Sequence, residues 1–213
     1  MTELEQIFNK YKCDKGTLDK GHHYYRVYEK ELEHMRNDPI KILEVGIWKG
    51  TSFDAWHEYF PNAEIYGIDI FTRLQPTDVP ALKKDRVHWL KGDSTHSDIA
   101  RKITEKWGPV TFDVIIDDGK HTPLANTKTF NNLFQFLEEG GTYFVEDVWP
   151  LDLMEAEGNS HEWVKRNPEK YNMLAFHQFR NAIQNQIVEQ FDLRAASGLS
   201  DSYIYKITPA NFG

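Results

Sequence analysis

Cysteine is almost missing from this chain: Cys13 is the only one in 213 residues. One thiol cannot close an intrachain disulfide, so a disulfide-stapled fold is excluded and a reducing compartment is expected. No apolar run approaches the roughly 20 residues that cross a bilayer. The stretch MTELEQIFNKYK shows no apolar signal region, so the expectation is a cytoplasmic protein with no membrane partner. Positive charge is in deficit, with 25 Lys and Arg against 33 Asp and Glu and a net charge of −8. Bulk charge therefore argues against nucleic acid as a partner. Internal repeats, heptads and low-complexity tracts are absent. So is the G-x-G-x-x-G dinucleotide fingerprint. What the chain does have is 40% hydrophobic and 14% aromatic residues, enough for one well-filled core.

The stretch FDVIIDDGKH, residues 112–121, organises the rest. Its β-branched run suits a parallel strand covered on both faces. The strand ends in Asp117 and Asp118, followed by Gly119 and His121. Ligands of open α/β sheets bind beyond such carboxyl ends. A second apolar strand, TYFV at 142–145, ends in Glu146 and Asp147. Adjacent in a sheet, the two strands would bring four carboxylates and an imidazole to one rim, as a metal site or as a concentration of like charge. Side chains alternate along a strand, so the four acids cannot all face one pocket.

In chain order, residues 2–12 read as a short helix with Thr2 and Glu5 as a capping box. Asp14, Lys15 and Gly16 form a turn, and His22, His23, Tyr24, Tyr25 and Tyr28 crowd the start of a second helix. Two readings stand for this segment: aromatic packing over the sheet, or a lid over a pocket. A strand at 42–46 runs through Glu44 into Gly46, and Gly50, Thr51 and Ser52 open a helix. A glycine loop between strand and helix lets a ligand approach the backbone. The next strand, 64–70, places Asp69 about 20 residues beyond that loop, where an acid accepts from ribose hydroxyls. A third strand at 86–91 ends in Asp93 and Ser94, placed either for an adenine edge or for a helix cap. Helices are expected at 97–107, 122–138 and 171–188. The stretch 148–170, with Trp149, Glu155, Glu157, Gly158, His161, Trp163 and Pro168, reads as a long functional loop or broken helix. Strands at 191–197 and 202–207 should close the chain as an antiparallel hairpin.

This order of elements, with Glu44-Val45-Gly46, Gly50, Asp69, Asp93 and the terminal hairpin, resembles the class I S-adenosylmethionine (SAM)-dependent methyltransferases over about residues 41–207. Together DKG and HHYYRVYE, IIDDGKH and VEDV look like the metal-dependent sugar O-methyltransferases of antibiotic pathways. The resemblance implies an α/β, Rossmann-like, seven-stranded fold, mostly parallel with a C-terminal antiparallel hairpin. It divides the chain into a helical cap or lid at 1–38 and a SAM-binding domain at 39–213, forming one body. It also implies SAM and Mg²⁺, or another divalent cation, as cofactors. Asp118, Glu146 and Asp147 would hold the metal and His121 would be the general base. Glu44, Gly46, Gly50, Ser52, Asp69, Asp93, Ser94 and Asp117 would line the cofactor, although Asp117 also suits a supporting or metal-binding role. Asp14, Lys15, His23, Tyr24 and Tyr28 match the family's segment over the active site. Lys120 stands where the family motif has serine, and the long N-terminal domain of some members has no expected counterpart. The implied partner is a small polyhydroxylated acceptor, with a homodimer or higher oligomer suited to the aromatic content. The readings to be weighed against this are a SAM-binding module without transfer activity and a NAD- or nucleotide-sugar-dependent Rossmann enzyme.

Overall fold

The computed structural model describes residues 1–18, 20–152 and 168–210. Glu155, Glu157, Gly158, His161 and Trp163, in the stretch expected to form a functional loop, lie outside the described residues. Helix α1 spans Glu3–Lys10 with the Thr2/Glu5 capping box in place. Helix α2 spans Tyr25–Leu32 and tightens into a 3₁₀ turn at Glu33–Met35. The parallel strands are β1 (Lys41–Val45), β2 (Glu64–Asp69), β3 (Val87–Lys91), β4 (Phe112–Asp117) and β5 (Leu137–Val145), linked by α3 (Thr51–Tyr59), α4 (Ile99–Trp107) and α5 (Pro123–Leu133). Helix α6 (Met173–Ile183), strand β6 (Ile187–Asp192), the short helix α7 (Arg194–Ser197) and strand β7 (Tyr203–Thr208) follow.

The seven strands run in the order β3-β2-β1-β4-β5-β7-β6. β5 pairs antiparallel with β7, and β7 with β6. The order reverses between β1 and β4, which is where an open α/β sheet leaves a ligand crevice. Strand alternation divides the core between two faces. Ile42, Val114, Ile116 and Phe144 face α1, α2 and α3. Leu43, Ile115, Tyr143 and Tyr205 face α4, α5 and α6. Residues 1–38 are part of the first layer: Leu4, Phe8, Tyr24, Tyr28 and Leu32 are all buried in it. Among the described residues no helix is long and apolar enough to cross a membrane.

Two local expectations are corrected. The helix expected at 122–138 ends at Leu133, and a 3₁₀ turn leads directly into β5. Leu137 pairs with Phe112, and the register then slips so that Val114 meets Thr142. Gly140, at φ +78°, serves this irregular strand start. The strand expected at 191–197 lies earlier, at Ile187–Asp192, because Val188 and Phe191 pair with Ile207 and Ile204 of β7. Arg194–Ser197 form a helical turn in its place.

Candidate active site

The β1, β4 and β5 ends converge on one buried cation. Lys15 is 1% exposed. Its Nζ lies 2.6 Å from Asp118 Oδ2, 2.8 Å from Glu146 Oε2 and 3.6 Å from Glu44 Oε1. Alternation explains the grouping: Glu44, Asp118 and Glu146 continue the strand faces that carry Ile42, Ile116 and Phe144, toward the N-terminal segment. Burial alone would lower the lysine pKa, but Asp118, Glu146 and Glu44 outweigh it and hold the ammonium well above its ordinary range. Removing one member of a buried charge set leaves the others uncompensated, at a cost of about 3–5 kcal/mol. Glu146 is further held by the Tyr28 hydroxyl. Glu44 accepts from Ser52 Oγ at 2.7 Å and from Trp56 Nε1 at 2.6 Å, and burial pushes it up to about 7.

Beside this knot lies an open cluster. The His121 Nε2 is 3.6 Å from Asp118 Oδ1 and 3.5 Å from Asp147 Oδ2. His121 and Asp147 both have φ of +53°, a left-handed conformation costly for residues with a Cβ. Those turns swing the two side chains back over Asp118. Ligand atoms of Asp118, His121 and Asp147 all lie within 4.8 Å of one another. The two carboxylates offer the oxygen donors that a hard divalent cation takes, so Asp118 and Asp147 fit one, with the imidazole beside them. Burial opposes ionisation of Asp147, but His121, His22 and the Tyr24 hydroxyl together hold it below the usual carboxylate range.

Next to the cluster runs the loop 46–50. Gly46 has φ +93°, and a Cβ there would overlap the Asp118 carbonyl oxygen, so the β1 and β4 loops approach as closely as backbone allows. Gly50, at φ +75°, starts α3 with Val79 and Ala81 packed where its Cβ would be. Asp69, at the end of β2, holds the loop open: Oδ2 accepts from Ile47 N at 2.8 Å and Trp48 N at 3.0 Å, and Oδ1 from Phe71 N at 2.6 Å. A carboxylate offers about four acceptor positions, so one is left for a ligand hydroxyl.

The fold matches that of solved methyltransferases. MycE, a methyltransferase of the mycinamycin biosynthetic pathway solved with Mg and SAH, aligns with a TM-score of 0.67 at 23% identity over 97% of this chain and 54% of its own. An SAH-bound methyltransferase of Podospora anserina aligns with a TM-score of 0.67 at 15% identity over 99% of this chain and 89% of its own. The fold is that of the class I methyltransferases.

Curated relatives include the 8-demethyl-8-(2-methoxy-alpha-L-rhamnosyl)-tetracenomycin-C 3'-O-methyltransferase of Streptomyces olivaceus, 32% identical over 69% of this chain and 37% of the relative. Another is the mycinamicin VI 2''-O-methyltransferase of Micromonospora griseorubida, 30% identical over 69% of this chain and 36% of the relative. The matched part is thus little more than a third of these relatives' length. No protein-family profile matches the chain.

Against the methyltransferase frame, the expected site residues separate into groups. Asp118, His121 and Asp147 come together at the rim, and Gly46, Gly50 and Asp69 form the neighbouring loop. Glu146 lies beside Asp118 on the same ammonium, with its two oxygens engaged by Lys15 and Tyr28. Glu44 and Ser52 bond each other under α3. Asp117 faces the opposite sheet side, accepts from Asn126 Nδ2 at 3.1 Å, and is pushed up to about 6 by burial. Asp93 closes a turn with Thr95, while Ser94 is buried 2.9 Å from Thr129 Oγ1. Lys120 pairs with Glu169 at 2.6 Å, away from the acids.

In the N-terminal segment, Lys15, Tyr24 and Tyr28 reach the site. Asp14 accepts the His22 N–H through its carbonyl and shapes the turn. His23 lies tilted against the Tyr25 ring, and it is His22 that lies at the acids: its Nδ1 is 3.4 Å from Asp147 Oδ1 and 3.0 Å from Ser202 Oγ. The sequence holds the pair His22-His23 without saying which ring turns inward. His23, at φ +62°, takes the bend that separates them.

Proposed function

We propose that this chain transfers a methyl group from SAM to a hydroxyl of a small polyhydroxylated acceptor, a sugar or a glycosylated natural product, with Mg²⁺ or another divalent cation assisting. The observation that carries this reading is the convergence of Asp118, His121 and Asp147 beside the loop 46–50 and Asp69. The relatives named for methylating rhamnosyl and mycinamicin hydroxyls support the acceptor class, and the neighbour solved with Mg, SAH and mycinamycin VI supports the cofactors.

In this reading the loop 46–50 and the free acceptor position of Asp69 receive the ribose end of SAM. Asp118 and Asp147 would hold the cation, which would lower the pKa of a coordinated hydroxyl. His121 takes the hydroxyl proton. Among the described residues, Lys15 is committed to three carboxylates, Tyr24 to Asp147, Tyr28 to Glu146 and His22 Nδ1 to Ser202. The acceptor oxygen then bonds to the methyl carbon as the carbon–sulfur bond breaks, and the residues around the rim keep the three atoms in line.

Calorimetric titration of SAM and SAH, with and without Mg²⁺, tests the reading, alongside turnover on a panel of sugars and glycosides. SAM should bind, and Asp118→Ala/Asp147→Ala should abolish the Mg²⁺ isotherm. His121→Ala should keep SAH affinity while turnover falls about 10²–10⁴-fold, the usual weight of a general base. Binding of NAD in place of SAM would overturn the proposal. So would SAM binding without transfer to any acceptor of the class.

A further inference from the structure

Lys15 has no place in the chemistry just described, yet it is the only buried basic side chain among the described residues and reaches three strand ends from a turn more than a hundred residues away from two of them. The two oxygens of Asp118 are divided by it. Oδ2 receives the ammonium at 2.6 Å, and Oδ1 is left facing His121 Nε2 at 3.6 Å. The turn that delivers Lys15 is itself fastened: His22 N donates to Asp14 O at 2.6 Å, and Tyr25 N donates to Lys15 O at 3.0 Å. Cys13 N donates to Phe8 O at 2.9 Å. A fixed ammonium on one oxygen of a carboxylate leaves the group little freedom to rotate.

We infer that Lys15 is a positioning residue for the cation site, holding Asp118 through one oxygen so that the other is presented toward His121 and Asp147. This inference rests on the cation reading above. It makes the turn that carries Lys15 part of the cation site, with Lys15 setting the direction of a ligand it does not replace.

Charge and position predict opposite outcomes, and that separates them. If Lys15 acts only as a nearby positive charge, removing it strengthens binding of any divalent cation. If it positions Asp118, removing it weakens that binding in spite of the lost repulsion. The test is calorimetric titration of Mg²⁺ and Mn²⁺, and separately of SAH, into the wild-type chain, Lys15→Met and Lys15→Gln. Gln keeps an N–H donor without charge. The expected result is cation binding at least 10-fold weaker in Lys15→Met, part of that loss restored in Lys15→Gln, and SAH affinity within 3-fold of wild type in both.

Cation binding that is unchanged or tighter in both variants overturns the inference and leaves the cation site standing. Equal loss of SAH and cation binding overturns it too, since that is the mark of a general structural defect. A wild-type chain that binds neither cation overturns the cation reading and this inference with it. Should Met and Gln fail to fold, Lys15→Arg carries the test. Its fork keeps the charge but displaces Asp118, so weaker cation binding is expected, and wild-type affinity would overturn the inference.

Discussion

The hydroxyl of Tyr24 donates to Asp147 Oδ1 at 2.7 Å and accepts from the Asp147 backbone N–H at 3.2 Å. One phenol thus fixes both the carboxylate and the left-handed turn that aims it. Tyr24→Phe removes both bonds while keeping the ring in its buried place. A buried hydrogen bond contributes about 1 kcal/mol and an orphaned donor costs more, so a loss of roughly 1–3 kcal/mol in denaturant unfolding is expected. Turnover should fall further than stability does, because Asp147 is then free to leave the cluster. A variant with full activity would show that Asp147 holds its position without Tyr24.

Gly46 marks the closest approach of two loops. A methyl group there overlaps backbone, the Asp118 carbonyl, which cannot swing aside as a side chain can. The positive φ adds a second penalty. Gly46→Ala should lose more than about 3 kcal/mol or fail to fold, the scale of strain at a special backbone position. Thermal unfolding measures it, and a Tm within 2–3 °C of wild type, less than about 1 kcal/mol for a chain of this size, would contradict the geometry.

Asp69 connects loop shape to ligand affinity. Asp69→Asn keeps one acceptor oxygen and turns the other into a donor facing the Ile47 and Trp48 N–H groups. Calorimetry should show SAH binding at least 10-fold weaker, with a modest fall in Tm. Unchanged SAH affinity would separate the loop from the cofactor.

Glu44 supplies a pH dependence. Burial, set against Lys15 and the Ser52 and Trp56 bonds, pushes its pKa up to about 7. Between the ordinary carboxylate range and about 7 the folded chain keeps a proton that the unfolded chain releases. Stability from this group is therefore complete at low pH and is lost as pH rises through about 7. The displacement corresponds to roughly 3 kcal/mol at 1.36 kcal/mol per unit. Denaturant midpoints at pH 5 and pH 8 should differ more in the wild type than in Glu44→Gln, and equal differences would show that the group ionises freely in the fold.

The fold was legible because its signals are local and repeated. The β-branched run at 114–116 and the acids ending β2, β4 and β5 state strand identity and the functional end of the sheet in consecutive residues. Where signals compete, the reading slipped. Phe134, Phe136 and Leu137 continue a helical pattern, yet pairing of Leu137 with Phe112 ends the helix at Leu133. Sheet hydrogen bonds to a strand 25 residues upstream are invisible to a local window.

The site divides along the same line. Sequence alone determined the α/β class, the rim on which the acids lie, and the rule that neighbours on a strand cannot share a face. It also made one cluster of DDGKH and ED conditional on their two strands being neighbours, which the β4–β5 pairing meets. Only the tertiary structure decided which acid goes where: Glu146 to Lys15, Asp117 to Asn126, Asp147 to His121, and Asp118 between Lys15 and His121. It also turned His22 inward in place of His23. Those outcomes depend on a buried ammonium arriving from residue 15 and on left-handed turns at His23, His121 and Asp147. Charge compensation across more than a hundred residues and a single backbone angle leave no periodic trace in a sequence, whereas burial of a strand does.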